Sequence, residues 1–292
     1  MEFNKEEARK KYAISEEQFM ENAREIFGEL SINASKIDEP KFIIVGGQAG
    51  SGKTGLVAKK YQDLKGNAVI IDQDELRTKY PQEIYKQIVA NHTDREEFLI
   101  LNIYIAKMIK EIVTRARENG YNVILETAMQ DIEAFIGYTN EFKEAGYTEE
   151  LAVMAVPEVE GNISMLSRYC FYLEKDGECR RNTRINPNAI NKLRENLNRF
   201  DELELFDDIE IYRRGNNRDE LPIQIYSQKQ SKYEKPIEAF ERGIKLSFDM
   251  TKQSFPKKYT EIHRILQAHD DSKRLEILEE INSQFKSLDE RE

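Results

Sequence analysis

Short apolar runs recur along the chain at intervals that leave room for a helix between them. Each run is too short for a helix and is flanked by polar or turn residues, which is typical of strands buried in a sheet. The run 68–72 is nearly all apolar, as expected for a strand covered on both faces of a parallel sheet. The predicted strands are 42–45, 68–72, 121–126, 151–156, 208–212 and, after a polar turn, 221–226.

Amphipathic stretches fill most of the intervals between these runs. Ser15 precedes apolar residues at helical spacing and is followed by Gln18, a pattern that predicts a capped helix in the N-terminal lead-in. We expect a connection that contains Pro81, a polar loop over 175–187, and a break in the helical tail at Pro256. The other predicted helices span 55–63, 94–118, 132–145, 159–174 and 188–205, with further helices from about residue 234.

Strands that alternate with helices predict an α/β fold, in which a mainly parallel sheet is covered by helices. We expect residues 1–233 to form this domain, together with its helical lead-in. The remaining residues, 234–292, are rich in Lys and Glu and are predicted to form a helical appendage.

The first predicted strand leads into the sequence Gly-Gln-Ala-Gly-Ser-Gly-Lys-Thr at positions 47–54, and a helical stretch follows. This is a complete phosphate-loop motif in the strand–loop–helix context that it requires. Glycines allow backbone N–H groups to turn inward around a polyphosphate, and the helix N-terminus adds further donors. Lys53 would reach the β- and γ-phosphates, and the Thr54 hydroxyl would ligate Mg²⁺. The residues predicted to bind a nucleoside triphosphate are Gly47, Gly50, Ser51, Gly52, Lys53 and Thr54.

Composition excludes several other classes of function. Charged residues make up 34% of the chain and the net charge is −10, which argues against a general nucleic-acid-binding surface. The sequence has no apolar run long enough to span a bilayer and no signal-peptide core at its N-terminus. Its two cysteines are too few for a disulfide framework, so we expect a reducing, cytoplasmic setting.

Acidic residues follow two of the predicted strands. Ligands of open α/β sheets bind outside the carboxyl ends of the strands, which is where Asp74 and Glu126 lie. Two carboxylates beside a triphosphate suit phosphoryl transfer to a hydroxyl, because one can accept the proton while the other orients the acceptor or a metal-bound water. Asp72 is an alternative to Asp74, although a helix cap or turn is the simpler interpretation of that residue.

Arginines follow the fourth predicted strand. Arg168 lies on the next helix, and Arg180, Arg181 and Arg184 lie in the polar loop after it. Arginines in a closing lid can stabilise the phosphoryl group during its transfer. We expect at least two of these four side chains to face phosphate, as in a lid-bearing nucleotide kinase.

Taken together and in order, these stretches resemble the zeta toxin family, the kinase half of bacterial zeta-type toxin–antitoxin pairs. The resemblance extends from the lead-in near Ile14 to the strands around Tyr226. The phosphate loop alone would not be specific, whereas the ordered set is. The segments that carry the resemblance are 45–54, 66–74, 120–126, 154–157, 168–169 and 184–187.

The resemblance implies a P-loop kinase fold that uses ATP and Mg²⁺ to phosphorylate the amino-sugar 3′-hydroxyl of UDP-N-acetylglucosamine. By position, Asp74 would be the base that takes the hydroxyl proton, and Glu126 would contact the acceptor sugar. Arg168 and Arg184 would clamp the phosphates. The resemblance also implies a bacterial, cytoplasmic protein with a small antitoxin partner, whose helical segment blocks the nucleotide site.

The segment after Glu126 departs from the family pattern. Family members commonly continue the third strand as Glu-Gly-Thr-x-Arg, whereas residues 126–130 read Glu-Thr-Ala-Met-Gln. Hydrogen bonds from the missing threonine and arginine would each be worth about 1–3 kcal/mol if buried. Gln130 takes the position of the arginine and is the remaining candidate for an acceptor contact there.

Two alternatives stay open at this point. The same kinase fold could phosphorylate another nucleotide, an antibiotic hydroxyl or a nucleic-acid end, although the lack of a basic excess disfavours the last of these. The alternative from a different class is a nucleotide-binding regulatory protein with little turnover, which the charged helical tail suggests.

Overall fold

The computed structural model describes residues 3–129, 132–177, 179, 183, 186, 188–216, 220–231 and 233–290. Within these residues the strands form one six-stranded sheet. The strands are β1 (Lys41–Gly46), β2 (Val69–Asp72), β3 (Val123–Thr127), β4 (Thr148–Met154), β5 (Asp208–Arg213) and β6 (Ile223–Ser227). The described helices are α1 (Lys5–Lys11), α2 (Glu16–Leu30), α3 (Lys53–Asp63), α4 (Gln73–Thr78), α5 (Gln82–Asn91), α6 (Asp94–Glu118), α7 (Ile132–Glu144), α8 (Glu158–Asp176), α9 (Ala189–Glu202), α10 (Pro236–Ala268) and α11 (Ser272–Asp289).

The sheet has the strand order β2-β3-β1-β4-β5-β6. β2 pairs with β3 in parallel, β4 pairs with β5 in parallel, and β6 is antiparallel to β5. The prediction of an α/β fold with a mainly parallel, helix-covered sheet and a helical C-terminal region is therefore confirmed. None of the described helices combines the length and the apolar character that crossing a membrane requires.

The first of two compact units is organised around α6. This helix packs against α1, α2, α4, α5 and β3. Its side chains at helical spacing, such as Ile105, Met108 and Ile112, are buried, as the apolar stripe predicted. The segments of this unit are Met1–Ile44, Lys60–Thr127 and Ala134–Glu149.

The second compact unit contains the phosphate loop and the C-terminal helices. Helix α10 packs against α8, α9, α11, β5 and β6. Phe248 and Phe255 of α10 share an apolar cluster with Leu166 of α8 and Leu278 of α11. The segments of this unit are Val45–Lys59, Ala128–Glu133 and Glu150–Glu292.

Two helix caps lie where the sequence predicted them. Ser15 and Gln18 make both hydrogen bonds of a capping box at the start of α2. Asp72 is the N-cap of α4, and its side chain accepts a hydrogen bond from the Asp74 N–H at 2.8 Å. The interpretation of Asp72 as a helix cap is therefore confirmed.

Two predictions of irregular structure were wrong. The connection that contains Pro81 holds the short helices α4 and α5, and Pro81 is the N-cap of α5. Helix α10 continues through Pro256 without a break. A proline inside a helix costs about 3 kcal/mol or more. Burial of Phe248, Phe255 and Ile262 in the same helix outweighs this cost, because each such side chain contributes about 1.5–3 kcal/mol.

Truncating Phe255 tests this account of α10. Phe255 is 2% exposed and stacks on Phe285 with ring centroids 4.0 Å apart. We expect Phe255→Ala to lower the free energy of unfolding by about 3–5 kcal/mol in urea denaturation, because it leaves a cavity. The control Phe171→Ala removes a ring that is 55% exposed and should cost less than about 0.5 kcal/mol. Equal losses in the two variants would contradict the packing described here.

Candidate functional site

The phosphate loop connects β1 to α3 and requires glycine at its tightest point. Gly50 has φ +72°, a conformation that other residues adopt at a cost. A Cβ atom at this position would lie 2.1 Å from the carbonyl oxygen of Gly161 in α8. The loop therefore lies against the first turn of α8, and any side chain at Gly50 would push the two apart.

Gln48 fixes the loop to the end of β4. Its side chain is 4% exposed, and its Nε2 donates to the carbonyl oxygens of Val156 at 3.0 Å and Pro157 at 2.9 Å. The motif allows any residue at this position, so this contact could not be predicted from the motif.

The remaining loop residues present donors to an anion. The Lys53 Nζ donates to the carbonyl oxygen of Gln48 at 3.1 Å, which folds the amine back over the loop. The Ser51 hydroxyl is buried and has no hydrogen-bond partner among the described residues. Thr54 is exposed in the first turn of α3, where its hydroxyl is accessible to a metal ion. These residues fit a polyphosphate with a bound cation at the N-terminus of a helix.

Arg214, which the sequence analysis did not single out, holds the loop from the β5–β6 connection. Its guanidinium donates to the carbonyl oxygens of Gly50 and of Ser51, the latter at 3.2 Å. It also donates to the Ser164 hydroxyl at 3.1 Å and forms an ion pair with Glu160, both in α8. Burial lowers the pKa of Arg214, and the charge of Glu160 opposes that shift.

Arg168 lies further along α8. It is exposed, and it follows Glu160 and Ser164 at intervals of four residues, so all three lie on the same side of the helix. Arg184, like Arg180 and Arg181, lies outside the described residues.

The two candidate carboxylates lie at neighbouring strand ends in the first unit. The parallel register of β2 and β3 pairs Asp72 with Glu126, and Asp74 follows in the first turn of α4. Asp74 is largely exposed, with 79% of its side chain accessible. An exposed carboxylate at the carboxyl end of a strand is able to reach a ligand there.

Arg77 links Asp74 to the start of α6, a connection that sequence reasoning missed. Its guanidinium lies 3.7 Å from an Asp74 carboxylate oxygen, 3.7 Å from Asp94 and 3.4 Å from Glu97. Glu97 is buried and accepts a hydrogen bond from the Tyr85 hydroxyl at 3.1 Å. Arg77 therefore places a positive charge beside Asp74.

The segment that departs from the family pattern turns into the protein core. Met129 is fully buried with φ +53°, and its side chain covers Gly46, so that a Cβ there would lie 1.9 Å from the sulfur. Its carbonyl oxygen accepts a hydrogen bond from Asn196 Nδ2 at 2.5 Å. Gln130 lies outside the described residues. The segment therefore places an apolar side chain beside the start of the phosphate loop.

The helix-covered parallel sheet and the phosphate loop define a protein with a P-loop kinase-like fold. A family model, "Zeta toxin", matches residues 25–222. Because the match covers more than half of the chain, this protein belongs to the zeta toxin family, whose members are kinase-like phosphotransferases.

Individual relatives agree with this assignment. The chain is 26% identical to "Toxin zeta" of Enterococcus hirae over 241 residues, which cover 80% of this chain and 78% of the relative. It is 28% identical to "Toxin PezT" of Streptococcus pneumoniae over 178 residues, or 60% of this chain and 69% of that one. A solved structure of the PezAT chromosomal toxin–antitoxin system of Streptococcus pneumoniae superposes with a TM-score of 0.74 at 23% identity, covering 87% of this chain and 98% of that one.

Proposed function

We propose that this protein is an ATP-dependent kinase that transfers the γ-phosphoryl group to a hydroxyl of a sugar nucleotide. The leading acceptor is the amino-sugar 3′-hydroxyl of UDP-N-acetylglucosamine. The observation that carries the proposal is the phosphate loop, which lies at a helix N-terminus and is held in place by Gln48 and Arg214. Membership of the zeta toxin family supports the reaction type.

On the donor side, Lys53 and Thr54 bind the triphosphate. The Lys53 amine, now bonded to a loop carbonyl, contacts the β- and γ-phosphates when ATP is bound, and the Thr54 hydroxyl is a ligand of Mg²⁺. Mg²⁺, when bound, neutralises charge that develops on the phosphate oxygens. Arg168 of α8 and Arg184, which lies outside the described residues, contact the transferring phosphoryl group.

On the acceptor side, Asp74 is the general base. Its carboxylate takes the proton of the acceptor hydroxyl, while the hydroxyl oxygen bonds to the γ-phosphorus and ADP leaves. The Arg77 guanidinium lies 3.7 Å from this carboxylate. Glu126, and Gln130 beyond it, contact the acceptor sugar.

A different acceptor is the second candidate, and the departure from the family pattern after Glu126 favours it. The family pattern supplies threonine and arginine donors in this segment, whereas Ala128 and Gln130 stand at those positions here. A kinase of this fold with such a segment would accept another nucleotide or an antibiotic hydroxyl. A nucleotide-binding regulatory protein would use the same phosphate loop without turnover.

Partners and location follow from the same family membership. One related structure belongs to a toxin–antitoxin system. We therefore propose a small helical antitoxin as a partner of this chain and the bacterial cytoplasm as its location. We also propose that residues 1–233 carry the kinase activity and that 234–292 form the helical appendage.

A transfer assay with ATP labelled at the γ-phosphate tests the proposed function. The acceptors are UDP-N-acetylglucosamine, other nucleotides and hydroxylated antibiotics, separated by chromatography after incubation with Mg²⁺. Label on UDP-N-acetylglucosamine supports the leading acceptor, and label on another compound supports the second candidate. Nucleotide binding with no labelled acceptor would instead favour the regulatory protein.

A further inference from the structure

A chain of charged contacts runs from helix α10 to the phosphate loop. The Lys258 Nζ donates to Glu160 Oε1 at 2.6 Å, and Glu160 forms an ion pair with Arg214. Arg214 in turn donates to the carbonyl oxygens of Gly50 and Ser51. Lys258 belongs to the C-terminal helices, yet only two residues, Glu160 and Arg214, stand between it and the loop.

Arg214 fixes the orientation of two peptide groups in the loop. The described peptide bonds are all trans, so each N–H points opposite to the carbonyl of the preceding residue. With the Ser51 carbonyl held by Arg214, the N–H of Gly52 points away from Arg214. A phosphate loop binds its ligand through such N–H groups, and their orientation sets its affinity.

Glu160 orients Arg214, and Lys258 orients Glu160. The Glu160 side chain is 5% exposed, and its Oε1 accepts from Arg214, Lys258 and the Ser164 hydroxyl. Its Oε2 has no hydrogen-bond partner among the described residues. The position of this buried carboxylate therefore depends on the three donors to Oε1. Two of these donors are charged, Arg214 and Lys258.

We propose that Lys258 is a positioning residue for the phosphate loop, acting through Glu160 and Arg214. The C-terminal helix α10 thereby sets the affinity of the loop for a nucleoside triphosphate. This inference rests on the proposed function for its ligand, but the contacts themselves are independent of the acceptor. They connect Lys258 of α10 to the phosphate loop.

The variant Lys258→Met tests the proposal against the control Lys257→Met. Both variants remove one lysine from α10, and Lys257 is exposed whereas Lys258 contacts Glu160. Lys258 is itself 30% exposed, so its replacement leaves no buried cavity. We expect Lys258→Met to weaken ATP binding about tenfold, which is the lower end of the effects of replacing a residue that orients a ligand-binding group. The melting temperature should be unchanged. Lys257→Met should bind ATP as the wild type does, and Lys258→Arg should restore binding.

Hydrogen–deuterium exchange of the ligand-free protein gives a second readout that needs no nucleotide. We expect faster exchange over residues 47–56 in Lys258→Met than in Lys257→Met, because the loop peptides lose their fixed orientation. Unchanged loop exchange together with unchanged ATP affinity would overturn the proposal. A wild-type protein that binds no ATP would overturn the proposed function, and loop exchange would then decide alone whether Lys258 positions the loop.

Discussion

Replacing Asp74 with asparagine is expected to reduce phosphoryl transfer by a factor on the order of 10² to 10⁴, which is the usual contribution of a general base. Asparagine has nearly the shape of aspartate but cannot accept the proton of the acceptor hydroxyl. The affinity for ATP should stay at the wild-type value, because Asp74 is assigned to the acceptor hydroxyl and not to the triphosphate. Initial rates at saturating ATP and acceptor, together with calorimetric ATP binding, measure the two quantities.

Asp72→Asn is the matched control for that variant. Asp72 accepts the Asp74 N–H at the start of α4, and asparagine caps helices about as well as aspartate. We therefore expect Asp72→Asn to fold normally and to turn over at the wild-type rate. An inactive Asp72→Asn beside an active Asp74→Asn would transfer the role of base to Asp72. Full activity in both variants would show that neither Asp72 nor Asp74 is the general base.

Replacing Lys53 with methionine is the second change with a large expected effect. The loss of one preorganised cationic donor to the phosphates should lower kcat/KM for ATP by a factor on the order of 10² to 10³. The fold should be unaffected, because methionine keeps the apolar part of the side chain and the loop keeps its contacts through Gln48 and Arg214.

Lys245→Met serves as the control, since Lys245 is an exposed lysine of α10. Circular dichroism melting curves of the two variants should match that of the wild type. Undiminished ATP turnover in Lys53→Met would show that the loop is not the phosphate site.

The phosphate loop could be predicted from the sequence because its residues are contiguous. Strand, glycines, lysine and helix start follow one another within a few positions, so local conformation determines the site. The helix cap at Asp72 was predictable for the same reason. The α/β fold with a mainly parallel sheet also followed, because apolar runs and amphipathic stretches report burial directly. The P-loop kinase-like fold was implied by the family resemblance.

Residues that support the loop from afar could not be predicted in this way. Arg214 is 163 positions from Ser51, and Lys258 is 98 positions from Glu160. In the sequence, neither residue can be told apart from the charged residues around it. Only the tertiary fold brings each of them to its partner. Arg77 is a similar case, because its contact with Glu97 requires the packing of α4 on α6.

Pro256 was predicted wrongly because a local rule was applied where tertiary packing decides. Proline disfavours a helix interior, but the apolar face of α10 is buried against α8 and α11 on either side of it. The Thr260 hydroxyl also donates to the carbonyl oxygen of Pro256 at 2.9 Å, within the continuous helix.

The acceptor is identified by the product of the reaction rather than by the fold. The most direct measurement is a mass spectrum of UDP-N-acetylglucosamine after incubation with the 292-residue chain, ATP and Mg²⁺. We predict a product that is heavier by one phosphoryl group with the wild type and absent with Lys53→Ala. An unchanged sugar nucleotide, in a protein that still binds ATP, would contradict UDP-N-acetylglucosamine as the acceptor.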